Sequence, residues 1–118
     1  MHDLIFAKEI KKIVDEKLKN LNKKINLSAI NVRLSPFTHV KPETLKTAFI
    51  IEVKGSQLER IPLNIKMSEV EIACNTCNKR FLVTAPVFSC PKCKSVNLHI
   101  KQEPEFFVES IEGVNKNE

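Results

Sequence analysis

At 118 residues the chain holds one ordinary domain with room for a small attached module, and two large domains are excluded. Its 42% hydrophobic residues and seven Phe can supply a core, and 28% charged residues keep the surface wet, which excludes bulk disorder. The net charge of +5 arises from 19 basic residues against 14 acidic ones, a mixed surface and not a basic arm, so charge alone does not point to nucleic acid.

No apolar run approaches the roughly 20 residues that a membrane helix needs. Asp3, Lys8 and Glu9 break up the one stretch that could imitate a signal peptide. The expectation is a cytoplasmic protein with no membrane partner. In residues 4–21, Ala7, Ile10, Ile13, Val14, Leu18 and Leu21 recur at three- and four-residue intervals among Lys and Glu, which predicts an amphipathic helix of about five turns. Asp3 stands where its N-cap belongs. Residues 25–34 alternate Ile25, Leu27, Ala29 and Val32 as a strand does.

Pro42 with Glu43 behind it starts a second helix, residues 41–53, with Val40, Leu45, Ala48, Phe49 and Val53 on one face, and Gly55 stops that helix. Ile61, Leu63, Ile65 and Met67 then alternate as a half-buried strand interrupted at Pro62. After the cysteines, alternation resumes through Val96, Leu98 and Ile100, then Phe106 and Val108. The expected order is helix, strand, helix, strand, metal module, strand. The expected fold class is α+β, two helices packed on a small sheet that the cysteine module interrupts.

Cys74, Cys77, Cys90 and Cys93 are all the cysteines of the chain, spaced C-x2-C-x12-C-x2-C. Two knuckle turns of this kind present four thiolates to one tetrahedral ion, and a closed four-sulfur shell leaves no position for water, so the spacing predicts a structural Zn²⁺. An iron–sulfur centre is the lesser alternative. Lys79, Arg80, Lys92 and Lys94 lie in or beside the module, whose residues 74–93 contain no acid. They either offset the negative metal shell or form a phosphate-binding patch. Phe81 and Phe88 are expected to cover the metal, or else to stack on single-stranded nucleic acid.

The opening Met-His-Asp, the stretch HVKPETLKTAF, the pair ACNTCNKRF and CPKC, and the closing FFVESIEG together resemble the HypA family, the nickel metallochaperones of nickel–iron hydrogenase and urease maturation. The resemblance covers nearly the whole chain. It implies a nickel-binding α/β domain made of residues 1–73 and 97–113, a zinc ribbon at 74–96 and a flexible tail at 114–118. It further implies a non-enzymatic protein that binds Ni²⁺ as cargo and works with a HypB-type GTPase. The recipient would be a hydrogenase large-subunit precursor or the urease maturation proteins. Nickel would be held by His2, with Met1 and Asp3 contributing backbone nitrogen. Planar Ni(II) suits this, since an imidazole, its own backbone nitrogen and the next close contiguous chelate rings.

The sequence departs from the family at four positions. Asp3 replaces a usual Glu, Lys41 stands where relatives often carry an acid, and Asn78 and Lys94 replace the glycines common after each C-x2-C. Asn accepts a left-handed turn more readily than Lys does. His39 is a candidate accessory ligand ahead of the second helix, whereas His99 alternates with Leu98 and Ile100 and should face solvent. The rival reading is a zinc-ribbon nucleic-acid-binding protein.

Overall fold

The computed structural model describes residues 2–21 and 25–115, the last of these by its backbone only. Met1 and residues 116–118 of the expected tail lie outside the described residues. Helix α1 (His2–Asn20) and helix α2 (Pro42–Glu52) pack together against a three-stranded mixed sheet made by β1 (Ile25–Leu34), β2 (Leu63–Met67) and β6 (Phe106–Asn115). Strand β1 is central, parallel to β2 and antiparallel to β6. Three further strands, β3 (Val70–Cys74), β4 (Arg80–Val83) and β5 (Leu98–Ile100), make a separate antiparallel sheet in the order β4-β3-β5. The α+β class with an inserted ribbon is therefore as expected.

The core is the seam between helices and sheet. Phe6, Ala7, Ile10 and Val14 of α1 meet Leu45 and Phe49 of α2 over Ile30, Val32 and Leu34 of β1, all buried. At roughly 1.5–3 kcal/mol for each large side chain removed from water, this seam is what holds the helices to the sheet. Phe6 also stacks on Phe106 with ring centroids 4.6 Å apart, fixing the start of α1 to the start of β6. The opposite face of the sheet is polar: Asn31 donates to Ser110 and Glu112, and Arg33 pairs with Glu109 at 3.0 Å. One face dry and one face wet is the ordinary solution for a sheet with antiparallel pairing.

The structure corrects several expectations. Helix α1 begins at His2, so Asp3 is a first-turn residue and not the N-cap; its carboxylate still favours the positive end of the helix. The strand expected from Ile61 to Met67 starts after Pro62, at Leu63, and ends at Met67. The chain turns at Ser68 and Glu69, where the Ser68 N–H donates to the Leu34 carbonyl, and passes from the first sheet to the second. The ribbon sheet therefore runs from Val70 to Ile100, wider than residues 74–96. Val114 and Asn115, expected in the tail, pair with Asn26 and Ile25. The register shift between Leu27 and Ala29, which puts Ser28 in β1 as an extra residue, explains why Ala29 and Ile30 are both buried, which alternation alone forbids.

Candidate metal centre

Two short turns build the ribbon site, and they repeat one another. In the first, the Asn78 N–H donates to the Cys74 carbonyl and the Cys74 N–H to the Lys79 carbonyl; in the second, Lys94 N–H donates to Cys90 and Cys90 N–H to Ser95. Each turn needs a left-handed residue directly after its second cysteine. Asn78 and Lys94 supply it at φ 61° and 64°, the conformation for which glycine is the relaxed choice. The turns are tied together by the Thr76 and Ser95 hydroxyls, 2.8 Å apart, and by the Asn75 N–H on the Asn97 carbonyl.

The consequence is a cage of sulfur. Cys74 lies 3.5 Å from Cys93, Cys77 lies 3.7 Å from Cys90, and all four Sγ atoms fall within 4.8 Å of one another. Four sulfurs about 2.3 Å from a single tetrahedral ion stand about 3.8 Å apart, so the donor set and its size fit Zn²⁺. Cys74 and Cys90 are buried, which keeps water from half of the shell.

Backbone N–H groups already favour thiolate. The Cys77 N–H, directed at the Cys74 sulfur, is the main reason the Cys74 thiol is lowered from 9.0 to about 6. Cys90 is lowered too, first by the N–H of Cys93 and then by that of Lys92. Cys93 behaves oppositely. The Ser95 N–H lowers it, but the Cys74 sulfur, burial and the sulfurs of Cys90 and Cys77 together outweigh this and push it up to about 12. Crowded thiols ionise readily at first and reluctantly at last, and a divalent cation supplies the charge that lets the last proton leave.

The surroundings differ from expectation in one respect. Phe81 is half-buried opposite Ile72, as a cover should be, but Phe88 is 78% exposed and covers nothing. Ile72 and Val70 are the buried apolar residues of β3, the strand that ends at Cys74. Lys79, Arg80, Lys92 and Lys94 are all exposed.

The second candidate site is the start of α1. His2 is exposed in the first helical turn and Asp3 is half-buried beside it. The first four N–H groups of a helix have no carbonyl within the helix to receive them, so the nitrogens of His2 and Asp3 are available without breaking a helical bond. His39, in the loop before α2, and His99, on β5, are both exposed. Among the described residues the four cysteines form the only group of three or more potential metal-ligating side chains, so neither His39 nor His99 joins such a group. Lys41 is the N-cap of α2 and makes no side-chain capping bond.

A family model described as "Hydrogenase/urease nickel incorporation, metallochaperone, hypA" matches residues 1–113. The chain belongs to the HypA family. A hydrogenase maturation factor HypA from Desulfatibacillum aliphaticivorans is 30% identical over all of this chain and 91% of its own length. HypA of Methanococcus vannielii is 33% identical, over 93% of this chain and 94% of its own. The solution structure of the nickel metallochaperone HypA from Helicobacter pylori shares the fold, with a TM-score of 0.63 and 22% identity over 95% of this chain and 97% of that one.

The HypA match runs through the ribbon as well as the α/β domain and gives the nucleic-acid-binding reading no support. No helix among the described residues is long and apolar enough to cross a membrane. Sequence reasoning missed the Thr76–Ser95 tie and the N–H groups aimed at sulfur. The signal was present: CNTCNK and CPKCKS align position for position, and paired turns must face each other to share an ion.

Proposed function

We propose that this HypA protein carries Ni(II) at the start of α1 and delivers it to a nickel enzyme under assembly, with zinc in the ribbon as a structural ion. His2 supplies the imidazole, and the backbone nitrogens of His2 and Asp3, with Met1 contributing a further nitrogen, complete a planar field suited to Ni(II). The observation that carries this reading is that His2 is exposed in the first turn of a helix, where its own N–H and that of Asp3 need no helical partner. An open, terminal ligand set exchanges its donors one at a time, which suits a carrier; the closed four-sulfur cage suits retention.

The protein is not an enzyme in this reading. It acts in the cytoplasm with a HypB-type GTPase, and its recipient is a hydrogenase large-subunit precursor or the urease maturation proteins. The test is transfer. Nickel-loaded protein, mixed with a metal-free hydrogenase precursor and enough chelator to hold all free nickel, should load the precursor, and the His2→Ala protein should not. Equal loading by both would overturn the proposal.

A further inference from the structure

Helix α2 carries a run of three apolar residues, Phe49, Ile50 and Ile51, and a helix cannot turn three consecutive positions to one core. Phe49 is buried, while Ile50 and Ile51 are 69% and 66% exposed. They form one wall of a groove of about 760 Å³ that runs between the end of α2 and the turn leading into β2. Val53 and Leu63, both buried, and Phe49 make its floor.

The rim is charged and one-sided. Lys46, Lys54 and Arg60 border the groove against a single carboxylate, Glu59. None of these three cations is paired with an acid among the described residues. Lys46 and Ile50 are one helical turn apart and so neighbours on the surface of α2. Arg60 holds a left-handed φ of 71°, a strained conformation for a long side chain, at the lip of the groove.

We propose that this groove docks an amphipathic helix of a partner protein, apolar along one face and bordered by Asp or Glu. The inference rests on the reading that this protein hands its cargo to other proteins. Charge selects the occupant: an isologous contact with a second copy would set the same basic rim against itself, whereas carboxylates beside an apolar face would neutralise it. Shape selects a helix over an added strand. The groove touches β2 only at Leu63 and Asn64, so a strand laid along the open edge of β2 would leave it empty, while a helix lying beside α2 fills it.

The test uses the whole zinc-loaded protein and two labelled synthetic peptides of equal length, each a helix with a Leu face, one bordered by Glu and its twin by Lys. Fluorescence anisotropy should give at least tenfold tighter binding of the Glu peptide, weakening as salt rises. The double variant Ile50→Asp, Ile51→Asp should lose that binding at least tenfold. Both positions are exposed, so circular dichroism and zinc content should stay unchanged. The double variant Lys46→Glu, Lys54→Glu should reverse the preference between the twins. Equal affinity for both peptides, or full binding by the Asp variant, would overturn the proposal. So would self-association of the native protein that the Asp variant abolishes, because the occupant would then be a second copy. Nickel titration of the same samples separates the two readings: wild-type protein that fails to bind nickel counts against the proposed function and leaves the groove untouched.

Discussion

Acidifying the protein from pH 7 to pH 5 should weaken zinc binding by roughly a thousandfold through two cysteines alone, because zinc binds thiolates and protons compete for them. Cys74, lowered to about 6 chiefly by the Cys77 N–H, is mostly thiolate at pH 7 and mostly thiol at pH 5. That change costs about tenfold in affinity. Cys93, pushed up to about 12, is a thiol throughout and must give up its proton at every pH in the range. It therefore contributes about tenfold per pH unit, or about a hundredfold over the interval. Competition with a chromophoric chelator of known pH dependence would measure the loss. Calorimetry in buffers of different ionisation enthalpy would count protons directly; at pH 7 the count should be at least about one per zinc, from Cys93, and below about four, because Cys74 has already lost most of its own. Affinity that is the same at pH 5 and pH 7 would refute the reasoning, since no set of ligands containing the Cys93 thiol could behave so.

Lys94→Gly should raise thermal stability by about 0.5–1 kcal/mol, the relief of the left-handed conformation less the extra freedom gained by the unfolded chain. A drop in stability with zinc retained would contradict the turn geometry. Gly113→Ala should lower stability by about 1–3 kcal/mol in urea denaturation while leaving zinc bound. A Cβ at Gly113 would lie 2.6 Å from the Asn26 carbonyl oxygen and 2.6 Å from Ile25 Cγ2, so β1 and β6 would have to part. An Ala variant as stable as the parent would show that this pairing register is wrong.

Helix α1, strand β1 and helix α2 were legible because their apolar spacing reports a buried face, and the ribbon was legible because four cysteines at that spacing have few other uses. Alternation reports that one side of a strand is buried but not in which sheet, and so the passage at Ser68 and Glu69 from β2 to β3 was invisible. The start of α1 was misplaced by two residues because Asp3 suits a cap and a first turn about equally well. Phe88 misled for another reason. A small module is expected to use its aromatics as cover, yet Phe88 stands exposed while the buried apolar residues Ile72 and Val70 lie on β3, a strand that begins ahead of the cysteines. The groove could have been read from Phe49, Ile50 and Ile51, three apolar neighbours that no single helical face accommodates. His2 is the opposite case, since a lone histidine carries no signal in spacing and only the family resemblance singles it out in the sequence.

The central claim is nickel at His2, and isothermal titration of zinc-loaded protein with Ni(II), run beside the His2→Ala variant, tests it most directly. The account predicts specific nickel uptake by the native protein with the d–d absorption of a planar ion, its loss in the variant, and unchanged zinc and helix content in both. Nickel bound with the same affinity and the same spectrum after His2→Ala would contradict it.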